Sequence, residues 1–207
     1  MVVERGVFMD RADTAMIILA GGASSRMGQD KCDLRFNGLT FLETQIRKGQ
    51  QLGFPKIYVS GYKGKDCTQE IIMDRIPGRG PLGGLEACLC RAKEQGFSRC
   101  LVLGVDTPLV PVEELKRLMA FSTENTEFRA ILLRHNGKEE SLMAVYDTDL
   151  CQDIEAFLDS GRGSVFRFLG EIGYGIYDTH EKDIYFTNIN DPGIYQEIEA
   201  QFEGTKQ

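Results

Sequence analysis

The apolar segment "AMIIL" (15–19) runs straight into "AGGASSRMGQDK" (20–31), which combines three glycines with an arginine and a lysine. Gly21, Gly22 and Gly28 permit backbone conformations and close approaches that a Cβ would block. Successive loop amides can then form an anion-binding nest, and Arg26 and Lys31 add positive charge within about a triphosphate's reach. The chemistry this implies is the cradling of a phosphate chain. Two better-known phosphate loops do not fit. A Walker A loop needs four residues between its first glycine and Gly-Lys-Ser/Thr, whereas five separate Gly22 from Gly28 here and Gln-Asp-Lys follows. The dinucleotide pattern G-x-G-x-x-G is absent from this loop.

Other candidate residues also stand just after apolar runs. Ser60 ends "KIYVS" (56–60) and Gly61 and Tyr62 follow it, Asp74 ends "EIIMD" (70–74), and Asp106 follows "CLVLGV" (100–105). A carboxylate at the end of an apolar run is poorly explained by packing, and its usual company is Mg²⁺ with nucleotide phosphates. The bland reading of Asp106 is a cap for a helix starting near Pro111, though four residues intervene. "GRGPLGG" (78–84) supplies a second flexible loop before a helix, whose first amides suit an anionic or carbonyl group.

The elements that must position these residues read as an α/β protein: an open, mostly parallel sheet with helices on both faces. "MIILA" (16–20), "KIYVS" and "CLVLGV" are short, continuous and β-branched, as strands covered on both faces tend to be. Helical stripes follow: Leu42, Ile46 and Gly49 in 40–52; Leu85, Cys88, Leu89 and Ala92 in 83–95; Val112, Leu115, Leu118 and Met119 in 111–121. Alternating strands and helices give right-handed βαβ units. In such a sheet the ligand lies outside the carboxyl ends of the strands, where the candidate residues fall. Further on, "RAILLR" (129–134) and "SLMAVY" (141–146) flank the turn "HNGKEE" as a hairpin. Helices over 147–161 and 164–170, a strand in 172–178 and a C-terminal helix over 191–202 complete the chain. Residues 1–13 read as a flexible tail and 14–207 as one domain.

With 207 residues, 42% hydrophobic and 27% charged, the composition is that of an ordinary soluble protein. The net charge of -7 argues against broad binding to nucleic acid or an anionic membrane, which needs an extended cationic surface. No apolar run reaches the roughly 18 residues of a membrane span. Cys32, Cys67, Cys88, Cys90, Cys100 and Cys151 contain no C-x-x-C pair and read as reduced thiols of a cytoplasmic protein. Cys88 and Cys90, at i and i+2, face different sides of a helix and make no metal pair. His135 and His180 read as surface residues. The aromatics Phe157, Phe166, Phe168, Tyr174 and Tyr177 read as core of the second half rather than as a stacking surface.

Four motifs in order carry a resemblance. "LAGGASSRMGQDK" resembles the L-A-A/G-G-x-S-x-R-M-G-x-x-K signature of small nucleotidyltransferases, "GPLGG" (80–84) their G-P-L-A/G-G, "GVDTPLVP" (104–111) their D-T/M-P segment, and "FTNINDP" (186–192) their F-x-N-I/V-N-T-P. The chain is thereby similar to the molybdenum cofactor guanylyltransferase family. That resemblance implies a Rossmann-like nucleotidyltransferase fold and a reaction in which the terminal phosphate of molybdopterin attacks the α-phosphate of GTP. Mg²⁺ would be the cofactor, with transient contact to other cofactor-biosynthesis proteins or molybdoenzymes. It also implies roles: Leu19, Ala20, Gly21, Gly22, Tyr62 and Asp74 at the nucleotide; Arg26, Lys31 and Asp106 in catalysis, with Lys31 and Asp106 also touching nucleotide; Gly80, Gly83, Asn188 and Asn190 toward the second substrate; Asp106 and Asn190 at the metal.

Two positions depart from the family pattern: Tyr62 stands where an asparagine is usual, and Ser141 where a proline often precedes the Leu-x-A-L/V-Y run. A CTP-dependent molybdopterin cytidylyltransferase, or another small-molecule nucleotidyltransferase, is the alternative within enzymes. "LAGG" and "DTP" resemble the guanylyl branch more than the "LAAG" and "DQP" of the cytidylyl branch. A nucleotide-binding regulatory module without turnover is the alternative of another class.

Overall fold

The first strand determines the layout. β1 (Thr14–Leu19) is buried along its whole length, and its side chains alternate between two cores. Met16 and Ile18 join one hydrophobic cluster, and Ala15, Ile17 and Leu19 join the other. A strand with this pattern must have a neighbour on each edge and a helical layer on each face. In the computed structural model, which describes residues 11–21, 31–64, 67–76 and 78–189, both conditions hold.

On one edge β1 pairs in parallel with β4 (Ile57–Ser60), which pairs in parallel with β5 (Glu70–Ile72). On the other edge it pairs in parallel with β6 (Arg99–Gly104). Beyond β6 come β8 (Lys138–Asp147), β7 (Ala130–His135) and β9 (Gly175–Asp178), giving a seven-stranded sheet in the order β5-β4-β1-β6-β8-β7-β9. Only β8 runs antiparallel to its neighbours. The expected open, mostly parallel sheet is thus present.

α1 (Phe41–Gln51) and α3 (Val112–Glu124) cover the face that holds Met16 and Ile18. α2 (Pro81–Glu94), α4 (Leu150–Asp159) and α5 (Val165–Ile172) cover the other. α1 starts on a capping box: Thr40 Oγ1 accepts from the Glu43 amide at 3.0 Å, and Glu43 Oε2 accepts from the Thr40 amide at 2.7 Å. Before it lies a small hairpin, β2 (Arg35–Phe36) and β3 (Leu39–Thr40), turned by Asn37-Gly38 with both residues at positive φ. The same pair, Asn136-Gly137, turns β7 into β8, as two-residue hairpin loops require.

Several expectations need correction. The buried stripe of α1 is Phe41, Leu42, Gln45, Lys48 and Gly49, whereas Ile46 is only partly buried. His135 is not a surface residue: as the last residue of β7 it lies under the turn at Asp183–Phe186. Its ring stacks on Phe186 at 4.8 Å, with Nε2 3.1 Å from Glu140 Oε1. His180 is exposed, as expected. The five aromatics form no single cluster. Phe157 and Phe168 meet edge to face at 5.6 Å in one core, Tyr177 packs against Phe121 on the opposite side of the sheet, and Phe166 is exposed.

All six cysteines are free; Cys100 is fully buried, Cys88 lies in the core and Cys90 is half-buried beside Glu86 and Arg75. Residues 1–10 of the expected tail and the 191–202 helix lie outside the described residues. Of the tail, Arg11–Asp13 forms a 3-10 turn held by the Ser98 amide, which donates to Asp13 Oδ1 at 3.0 Å.

Two backbone segments cross closely where β1 and β4 end. Gly61 has φ 70°, and a Cβ placed on it would stand 2.8 Å from the Gly21 Cα. Gly61→Ala therefore meets both an unfavourable backbone region and immovable main chain. It should cost about 1–3 kcal/mol, seen as a lowered urea midpoint with an unchanged slope; wild-type stability would contradict the crossing.

Candidate active site

β1 connects to β4 on one side, and the chain later crosses back to place β6 on the other. The carboxyl ends of β1 and β6 thus flank the topological switch point, where open α/β sheets open a crevice. Ala20 and Gly21 leave β1 there, with the Ala20 amide donating to Ser60 O at 3.1 Å and the Val105 amide to Leu19 O at 3.1 Å. These bonds tie the three strand exits together.

Asp106 emerges from β6 beside Lys31, whose Nζ is 3.4 Å from Asp106 Oδ2. Both side chains are about three-quarters covered and reach the surface at this crevice. Gly104 lets the carboxylate fold back, since a Cβ there would stand 2.7 Å from Asp106 Oδ1. Asp106 does not cap α3, whose N-cap is Pro111 with no side-chain cap. From the far end of the chain, the Ile189 amide donates to Asp106 O at 2.8 Å, which docks the segment containing Asn188 against Asp106.

Asp74 sits two residues past β5, against the first turn of α2. Gly84 makes the approach possible: a Cβ there would stand 2.2 Å from Ser60 Oγ and 3.2 Å from Asp74 Oδ1. Burial pushes the Asp74 carboxyl above its ordinary value. Gly80, at φ 62°, is the N-cap of α2 and provides no side-chain cap, while Gly83 is buried within the first turn. Tyr62 is nearly buried; its hydroxyl is 3.5 Å from Asp33 Oδ1, and Gly64 lies against its ring.

Lys31, Asp106, Leu19, Ala20, Gly21 and Asn188 are thus brought to the β1/β6 end, and Tyr62, Asp74, Gly80 and Gly83 to the adjoining β4/β5/α2 side. Gly22, Arg26 and Asn190 lie outside the described residues. Two residues that sequence patterns did not single out support the site from behind. Gln45 and Lys48 occupy the buried stripe of α1, and their side chains end on main-chain oxygens of 104–108. The available signal was polarity at i and i+3 within an apolar stripe.

β8 also departs from regularity next to the site. Leu132 pairs with Ala144 but Leu133 pairs with Glu140, so the β7 register skips Ser141, Leu142 and Met143. Such bulges re-aim side chains beside active sites. A separate cleft at the amino end of β6 is lined by Lys93, Arg99, Asp147 and Asp149 among others. Its charges pair internally, Lys93 with Asp149 and Arg99 with Asp147, each at 2.8 Å. It lies at the opposite end of β6 from Asp106.

With this geometry in place, comparison with known proteins decides the family. Residues 16–172 match the MobA-like NTP transferase domain. The chain belongs to the MobA-like NTP transferase family. It is a nucleotidyltransferase.

Among its relatives, a probable molybdenum cofactor guanylyltransferase of Geobacillus sp. is 30% identical over 195 residues, covering 89% of this chain and 97% of its own. A protein of the same name from Mycolicibacterium paratuberculosis is 35% identical over 162 residues, 75% of this chain and 80% of its own. The solved molybdopterin-guanine dinucleotide biosynthesis protein A of Archaeoglobus fulgidus superposes with TM-score 0.75 at 22% identity, covering 92% of this chain and 99% of that one, and so shares the fold. Among the described residues of this family member, no helix is long and apolar enough to cross a membrane.

One electrostatic feature of the site gives a direct test. Lys48 is 7% exposed, and desolvation lowers its ammonium from 10.5 to about 7. Because the folded value lies below the unfolded one, the unfolded chain binds more protons between those two pH values, and stability rises with pH across that window. Between pH 7 and 9 the wild-type protein should gain about 2 kcal/mol relative to Lys48→Met, from urea unfolding at both pH values. The buried thiols, common to both proteins, cancel in the comparison; equal pH slopes would contradict the desolvated ammonium.

Proposed function

We propose that this nucleotidyltransferase transfers GMP from GTP to the terminal phosphate of molybdopterin, which carries molybdenum, and releases pyrophosphate. The observation that carries the reading is the meeting of Lys31, Asp106 and the Asn188 segment at the β1/β6 crevice. An acceptor phosphate oxygen forms the new bond to the α-phosphorus as the bond to the pyrophosphate oxygen breaks. Such a transfer needs positioning and charge neutralisation more than a protein nucleophile.

In this reading the main chain of Leu19, Ala20, Gly21 and Gly22 borders the nucleotide, and Lys31 with Arg26 offsets triphosphate charge. Asp74 contacts the nucleotide from the α2 side. Tyr62, with its ring in the core, shapes the wall of the base site where the family commonly has an asparagine. Gly80 and Gly83, at the uncapped start of α2, and Asn188 with Asn190 face the acceptor.

A divalent metal is characteristic of this family, and the residues present suit Mg²⁺. Asp106 offers a hard carboxylate oxygen, and no group of three or more His, Cys, Asp or Glu among the described residues forms a closed cage. A site of one carboxylate completed by phosphate oxygens and water is the arrangement Mg²⁺ prefers. Asp106 and Asn190 would hold the ion, which when bound draws charge from the phosphate oxygens.

Thermal stabilisation by GTP, CTP, ATP and UTP, each with and without Mg²⁺, tests the reading before turnover is attempted. GTP at about 100 times its dissociation constant should add about 2.7 kcal/mol, with the other nucleotides giving little. A shift with CTP alone would assign the protein to cytidylyl transfer. In the turnover assay, Asp106→Ala should lower kcat by about 100-fold or more with the fold intact, and unchanged turnover at saturating Mg²⁺ would remove Asp106 from the mechanism. Lys31→Ala should chiefly raise the KM for GTP; normal kinetics would reject its place at the phosphates.

A further inference from the structure

The buried stripe of α1 contains two polar side chains at positions where a helix lying on a sheet normally places apolar ones. Gln45 is fully buried, and its Nε2 donates to Gly104 O at 2.8 Å and Thr107 O at 3.0 Å. One turn further on, Lys48 Nζ donates to Pro108 O at 2.7 Å. Thr107 Oγ1 closes the same turn with a bond to Gly104 O at 3.2 Å. Three carbonyls of the 104–108 segment are therefore held from behind by one helix, and Asp106 lies at the centre of that segment.

This arrangement is an expensive way to join a helix to a loop. Burying an ammonium without a countercharge is costly, and among the described residues Lys48 forms no ion pair with a carboxylate. The Gln45 Oε1 oxygen is likewise buried without a hydrogen-bond partner. An apolar pair of similar volume would pack α1 on β6 without either cost. What an apolar pair would not do is hold the carbonyls of Gly104, Thr107 and Pro108, and with them the direction in which the intervening carboxylate emerges.

We infer that Gln45 and Lys48 are positioning residues for Asp106, holding its turn so that the carboxylate meets Lys31 and the nucleotide-bound metal. The inference rests on the assignment of Asp106 to the metal–nucleotide complex given above. α1 thereby acts as a rigid backing for the carboxylate, and the capping box at Thr40 and Glu43 secures the end of the helix from which Gln45 projects. Small displacements of such a group are costly, since misplacement by about 1 Å can lower turnover by about 100-fold.

The test uses Gln45→Met, which keeps the length of the side chain but removes both donors, and Lys48→Met, which keeps the stem but removes the ammonium. For each, the Mg²⁺ concentration giving half-maximal thermal stabilisation by GTP is measured alongside kcat and KM. Both variants should unfold cooperatively and need several-fold more Mg²⁺. Their kcat should fall by about 10-fold or more, with KM for the acceptor unchanged. In an Asp106→Ala background the same replacements should have almost no further effect on Mg²⁺ dependence, because coupled residues are not additive.

Lowered thermal stability with an unchanged Mg²⁺ midpoint and kcat would overturn the inference and leave the pair a packing feature. Full additivity with Asp106→Ala would overturn it as well. If Asp106→Ala itself leaves Mg²⁺-dependent GTP stabilisation intact, the assignment of Asp106 fails, and the inference falls with it. Should Lys48→Met fail to fold, Gln45→Met and Lys48→Gln provide the same readouts.

Discussion

The structure depends on the complete burial of β1, which has a strand on each edge and a helical layer on each face. No side chain of this strand faces solvent, so it can contribute to a site only where it ends. At that end the main chain needs partners that the ladder no longer supplies, and it finds them on its neighbours: Ala20 bonds to Ser60, and Leu19 accepts from Val105. The exits of three strands are thereby held in one place, and the loops beyond them share a crevice. Lys31 and Asp106, distant in sequence, meet there because β1 and β6 are adjacent.

Much of this was legible in the amino-acid order because the signals are steric or periodic. The parallel half follows from short β-branched runs alternating with helical stripes. Gly61, Gly84 and Gly104 occupy places where a Cβ would collide with Gly21, Ser60 and Asp106 respectively, so these glycines record real close approaches. The carboxylates after β5 and β6 stood out because packing alone gives no reason for a charge there.

What escaped the sequence pattern did so for physical reasons of its own. Gln45 and Lys48 look like solvent-facing residues until the loop they hold is known, since a polar residue is compatible with burial only when a partner from elsewhere satisfies it. The β2–β3 hairpin carries the same Asn-Gly signal as β7–β8, but its strands of two residues leave no periodicity to detect. The burial of His135 depends on Phe186, a contact between remote segments that neither segment announces. The skipped register in β8 is likewise a property of strand pairing, and no single strand encodes it.

The two halves of the sheet also differ in how far apart in the chain their partners lie. β7 and β8 are joined by a two-residue turn, and hairpins of that kind form in about 1–10 μs. The β1–β6 ladder pairs Thr14 with Arg99, 85 positions apart, and such non-local pairings slow folding because the chain must be closed before any contact rewards it. On contact-order grounds the β7–β8 hairpin belongs to the early folding events, and the crevice between β1 and β6 to the late ones. A ligand bound across that crevice therefore acts as a clasp on an entropically expensive junction, linking occupancy of the site to the lifetime of the folded chain.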